Sequence, residues 1–271
     1  MNSTANLAAP LRRARLLPGQ GLVPPLDVTV GKYRLRFARD EADLEAVQRL
    51  RYRVFNVELG EGLDGAHQTG LDADAFDAQC QHLIVALSHS GEVIGTYRMQ
   101  TAASARAGRG WYSSTEFDLS ALPSEFLAGA VELGRACIAA DHRDRNVLFL
   151  LFRGLIAYVE HNRAQRFFGC SSLTGTDPRA GAALYRRLLA EGRVHPSLVV
   201  RALPRHACAG LELEDDAHGP EVEVPKLFGV YLRHGGTILG TPAIDHEFGT
   251  IDFLTLVENT PELRARFAGR T

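Results

Sequence analysis

The stretch Val131-Glu-Leu-Gly-Arg-Ala-Cys-Ile138 reads as a buried strand broken by two opposite charges. Its apolar residues and its length suit a central strand. In a regular strand Glu132 and Arg135, three residues apart, point to opposite faces. Both serve one face only if an extra residue is inserted, and Gly134 is where a bulge is tolerated. A bulge there would splay the sheet and free backbone N–H groups. The alternative is an internal Glu–Arg pair.

Downstream, Asn146–Asn162 has helical periodicity and contains the longest apolar run, Val147 to Val159, interrupted by Arg153 and Gly154. Phe167–Ser171 follows as a strand and Pro178–Glu191 as a helix. Strands that return parallel need such a crossover, so parallel pairing is expected in the second half of the sheet. Upstream, Tyr33 to Ala38 alternates as a strand, and Asp40 caps a helix with acidic residues in its first turn that runs to about Phe55. After a loop rich in Gly and Asp, the strands His82–Ser88 and Val93–Thr101 are joined by the turn Ser90-Gly91-Glu92. The predicted fold is α/β, a mixed sheet with a central bulged strand, flanked by helices. Residues 1–31, rich in Ala, Pro, Gly and Arg, read as a mobile basic arm, and residues 32–271 as a single domain with a C-terminal extension from about 205. In that extension Ala209 to Pro225 is an acidic loop, Lys226–His234 a helix, Ile251–Val257 a strand and Pro261–Phe267 a closing helix.

The chain of 271 residues is 45% hydrophobic and 23% charged with a formal net charge of −2, an ordinary globular balance that does not announce a nucleic-acid protein. Cys80, Cys137, Cys170 and Cys208 lie far apart, which fits neither a zinc site nor a disulfide framework, and no metal is expected. No run supplies the roughly 18 apolar residues of a membrane span. Arg12, Arg13 and Arg15 precede no apolar stretch with a small-residue cleavage site, so no signal peptide is expected. A cytoplasmic protein follows, its basic arm either solvated or lying on the anionic inner face of the membrane.

Several charges sit where local rules disfavour them. In the first helix Leu44, Val47, Leu50 and Val54 define the apolar stripe, and Arg51 stands on its edge, four residues from both Val47 and Phe55. Buried, Arg51 needs an anion; otherwise its stem packs while its head reaches water. Arg98 shares a strand face with Ile94, Thr96 and Gln100, which lines either a cleft or the solvent side of the sheet. Asp74 and Asp77 are either turn residues or anchors for a cation.

In order, Arg51-Tyr-Arg-Val-Phe55, Asp74-Ala-Phe-Asp77, Gly95-Thr-Tyr-Arg98 and Glu132-Leu-Gly-Arg135 resemble the acyl-homoserine-lactone synthases, a branch of the GNAT acyltransferase fold. The later segments Phe168-Gly-Cys-Ser-Ser172, Gly175-Thr-Asp-Pro178, Tyr231-Leu-Arg-His-Gly-Gly236, Ile244-Asp-His-Glu-Phe248 and Asp252-Phe resemble a sister group, the hemolysin-like ornithine N-acyltransferases. The resemblance spans roughly Tyr33 to Val257. It implies a GNAT-like mixed sheet, acyl carrier protein as donor and co-substrate, no other cofactor, and an amino acid acceptor, typically ornithine, that becomes an N-acylated lyso-lipid. The synthases usually carry a tryptophan shortly after the residue matched by Phe55. Here Glu58, Leu59, Gly60 and Glu61 fill that stretch, which argues against an adenosylmethionine-derived acceptor.

The donor reading has a residue-level counterpart. A CoA-using GNAT enzyme wraps the pyrophosphate with a Gly-rich loop, whereas this chain has Asp141-His-Arg-Asp-Arg145 before its helix. A phosphopantetheine arm carries one phosphate, which the helix start at Asn146 with Arg143 or Arg145 would hold, and the carrier protein's acidity suits these arginines. For an N-acyltransferase, Glu132 is the first candidate base for the acceptor amine and Asp77 the second. N–H groups at Leu133–Arg135 would stabilise the tetrahedral oxygen. Arg98 or Arg135 would grip a carboxylate, Asp74, Asp77 or Glu58 a cationic side chain, while Arg51 fixes the site and Phe55 borders the acyl tunnel. The rivals are a signal synthase, a carrier-binding module without catalysis, a glycerolipid acyltransferase built on His67 and Asp72, and a Cys–His hydrolase using Cys137 or Cys170.

Overall fold

A computed structural model of the chain describes residues 16–208 and 222–267. The basic patch Arg12, Arg13 and Arg15 and most of the acidic loop, including Glu212, lie outside the described residues.

In chain order the strands are β1 (Asp27–Val30), β2 (Tyr33–Phe37), β3 (Gln81–Leu87), β4 (Val93–Thr101), β5 (Phe117–Asp118), β6 (Ala130–Ile138), β7 (Arg166–Thr174), β8 (Arg201–Ala202), β9 (Thr237–Ile238), β10 (Ala243–Asp245) and β11 (Thr250–Glu258). The helices are α1 (Glu41–Tyr52), α2 (Ala66–Thr69), α3 (Ala102–Ala107), α4 (Ser124–Ala128), α5 (Arg145–His161), α6 (Pro178–Ala190), α7 (Lys226–Arg233) and α8 (Pro261–Phe267). The main sheet runs β1-β2-β3-β4-β6-β7-β11-β10, with β9 added on β11.

One expectation is corrected. Asp27–Val30, assigned to the mobile arm, is an edge strand in register with β2, where Asp27 also pairs with Arg34. Parallel pairing falls in the second half as expected, between β6 and β7, while β11 returns antiparallel beside β7 over its whole length.

Strand alternation divides the sheet between two helical layers. The α5 face is the larger core: Leu83, Val85, Tyr97, Met99, Val131 and Phe167 pack with Val147, Leu151 and Leu155 of α5. Asp144 starts α5 by accepting from the N–H groups of Asn146 and Val147. The opposite face receives Val47 and Leu50 of α1, against Ile84 and Cys137. Helix α1 does not stop at Phe55; it widens into a π-helical turn over Arg53–Leu59, ended by Gly60 in the left-handed conformation.

The bulge in β6 is present, one residue later than Gly134. Arg98 of β4 faces Gly134 and Thr96 faces Cys137, so Arg135 and Ala136 together oppose Tyr97. The left-handed residue is Arg135, with φ 46°. Pairing between β6 and β7 ends at Glu132 and Phe168, and beyond it the strands part. At the fork Gly169 passes so close to β6 that a Cβ there would enter the Leu133 carbonyl oxygen.

Candidate acyl-transfer site

The fork opens a cavity of about 360 Å³. One wall is the bulge, Leu133 to Ala136, and the other is β7 from Phe167 to Ser172. Tyr97, Phe228 and Tyr231 give its lining aromatic surface, and Glu61, Asp245, Asp252, Arg135 and Tyr112 give it polar and charged groups. Phe55, from the π-helical turn, lines it and stands edge-on to Phe248 at 5.3 Å. Of the sequence-predicted site residues, Phe55 and Arg135 line this cavity.

The predicted charges instead form a closed buried network beside it. Arg51 is 0% exposed and donates from Nε to Asp72 at 2.6 Å and from Nη1 to Asp77 at 2.8 Å. Arg98 donates to Asp74 at 2.6 Å and to Asp77 at 2.9 Å. Arg135 reaches Asp72 at 3.4 Å, Asp74 at 3.3 Å and the Tyr112 hydroxyl at 3.2 Å. Three guanidinium groups thus face three carboxylates, which is how such charges tolerate burial. Burial pushes the Asp77 carboxyl up, but Arg51 and Arg98 outweigh it and hold it below the ordinary range. Asp74 and Asp77 therefore hold arginines, and Asp77 is no free base. Arg135 alone of the three arginines reaches the cavity, where its guanidinium lies 4.3 Å over the Phe248 ring. These pairings anchor the left-handed backbone at Arg135, which a non-glycine residue adopts at a cost.

Glu132, expected as the base, is occupied. It accepts from the N–H groups of Tyr112 at 2.8 Å and Ser113 at 2.7 Å, from Gln100 at 2.5 Å, and from the Ser113 hydroxyl. It pins the loop that delivers Tyr112. Glu58 pairs with Arg143 at the surface rather than facing the cavity. Arg145 and Asn146 are exposed at the start of α5, outside the cavity.

Sequence reasoning missed the acids that do reach the site. Asp252 lines the cavity and is 3% exposed; Glu116, 1% exposed, stands behind it with the Cys170 thiol. Burial raises both carboxyls, Glu116 well above the carboxylate range with its neighbour Asp252 adding to the shift. An acid inside the apolar run of β11 was a readable signal of the same kind as Glu132. Glu116 lies in the irregular stretch before β5, where no periodicity marks it. Glu61 also lines the cavity, and burial raises its carboxyl while the Thr174 hydroxyl donates to it at 2.5 Å.

The rival constellations are not assembled. Asp72 is committed to Arg51, while His67 is exposed on α2 beside Tyr52. Burial pushes the Cys137 thiol up to about 12 and that of Cys170 well above its usual value, the reverse of an activated nucleophile.

A mixed sheet forked at a bulge, with an amphipathic cavity in the fork, defines an N-acyltransferase of the GNAT class, and residues 50–153 match the family described as acetyltransferase (GNAT) domain. An L-ornithine N(alpha)-acyltransferase of Brucella abortus is 32% identical over 84% of this chain and 85% of its own length. One of Agrobacterium fabrum is 31% identical over 84% and 81%. The solved acyl-homoserine-lactone synthase LasI aligns with 87% of this chain and 94% of its own, at 13% identity and a TM-score of 0.46. The chain belongs to the L-ornithine N(alpha)-acyltransferase family.

Proposed function

We propose that the protein moves a 3-hydroxyfatty acyl group from acyl carrier protein to the α-amine of ornithine, giving an N-acylated lyso-lipid. The observation that supports this best is the cavity at the fork, whose lining combines aromatic surface with buried acids. An acyl thioester suits the aromatic surface and a cationic amino acid the acids. The relatives' acceptor is ornithine by name, and the donor reading rests on the glycine-free segment Asp141 to Arg145 before α5.

Arg135, the one arginine of the buried network that lines the cavity, holds the acceptor carboxylate. Glu61 takes a proton from the α-ammonium, directly or through water, since a carboxylate raised by burial is the stronger base. The freed amine attacks the thioester carbon. N–H groups of β6 past Glu132, which no longer have β7 as a ladder partner, stabilise the resulting oxyanion. The C–S bond then breaks, and the second amine proton leaves with the thiol. The purified protein, given 3-hydroxyacyl carrier protein and a panel of amino acids, should yield N-acylornithine by mass spectrometry. No N-acyl product with any amine would sink the reading, and equal rates with acyl-CoA would remove the carrier protein from it.

A further inference from the structure

The carboxyls of Glu116 and Asp252 have no use in the chemistry above, yet both are buried and short of partners. Glu116 Oε1 and Asp252 Oδ1 accept no hydrogen bond. Glu116, Asp252 and Cys170 bring their polar atoms within 4.8 Å of one another. Among the described residues no guanidinium forms an ion pair with either carboxyl; Arg135 acts on Glu116 only at a distance, its own contacts being with Asp72 and Asp74. Beside them on the same face of β11 stands the Thr250 hydroxyl, 1% exposed, which acts on the Asp252 carboxyl. An ammonium has three N–H donors and no acceptor. Two carboxyl oxygens without a partner, Asp252 on the cavity wall and Glu116 behind it, and a neighbouring hydroxyl offer it three acceptors.

We propose that Glu116, Asp252 and Thr250 form the subsite for the side-chain ammonium of a diamino acid acceptor. This rests on the reading of a basic amino acid as acceptor and names the residues that select it. The pair carries more negative charge as pH rises, so ammonium binding strengthens with pH. Arg135, Tyr112, Asp245, Cys170 and Glu61 are the other titratable groups coupled to the pair, and Glu132 acts on Cys170.

The test compares ornithine with norvaline, which has the same chain length and no side-chain amine. The wild-type kcat/KM should favour ornithine, and Asp252→Asn and Glu116→Gln should each shrink that ratio roughly tenfold to a hundredfold, mainly through the KM for ornithine. A ratio unchanged in both variants overturns the proposal. Should the variants misfold, thermal melting of the wild type decides: ornithine should raise its Tm more than norvaline does, and more at pH 8 than at pH 6. Equal shifts overturn the subsite. So does a stoichiometric metal bound by Glu116, Cys170 and Asp252, measured by elemental analysis. Wild-type protein that acylates neither amine refutes the functional reading, while the melting comparison still judges the subsite.

Discussion

Glu132 and Glu61 differ in what their oxygens touch. Glu132 spends both on donors of the Tyr112 loop and of β4, while Glu61 accepts from Thr174 and faces the cavity. The two substitutions to glutamine should therefore separate. Glu132→Gln should cost about 1–3 kcal/mol of stability in urea titration, because a buried acceptor becomes a misplaced donor. Glu61→Gln should leave the urea midpoint near the wild type and lower kcat about 10²–10⁴-fold. The converse pattern would return the base to Glu132.

Among the elements, the fork between β6 and β7 depends on a close crossing as much as on the bulge. Gly169 passes against the Leu133 carbonyl, and no side chain fits there. Gly169→Ala should force β7 away from β6 and destabilise the fold by about 1–3 kcal/mol, read from the thermal midpoint with calorimetric enthalpy. Acyl transfer should fall in parallel, since the fork sets the cavity walls. An unaltered melting temperature would mean that the strands already give way at this point.

Across the whole molecule, buried charge sets opposing pH dependences. Arg51 and Arg98 hold Asp77 low, so that pairing is intact above the ordinary carboxylate range and is lost as pH falls through the lower folded value. Burial lowers His82 to about 4, so stability also declines as pH drops from the unfolded histidine range of roughly 6.5 towards 4. Glu116 and Asp252 act the other way: their folded values are raised, so folding is penalised as pH rises through them. Glu116→Gln should therefore stabilise the protein at pH 8 by on the order of 1–3 kcal/mol and by less at pH 5, seen in denaturant midpoints. A gain equal at both pH values would show that Glu116 is charged throughout.

Periodicity and spacing in the sequence determined the order of the long central strands and the main helices, the crossover through α5 and the presence of a bulge in β6, because those depend on which residues within a few positions can share a face; the short strands and β1 were not marked. They also marked Arg51, Arg98, Glu132 and Arg135 as charges out of place. Whether each charge serves the site or the scaffold was decided only by tertiary structure, which set Asp72, Asp74 and Asp77 against the arginines and the Tyr112 loop against Glu132. Glu116 and Asp252 meet across 136 positions of chain, and only the folded sheet brings them together. Burial, not spacing, makes a carboxyl pair chemically distinctive, and burial belongs to the whole fold.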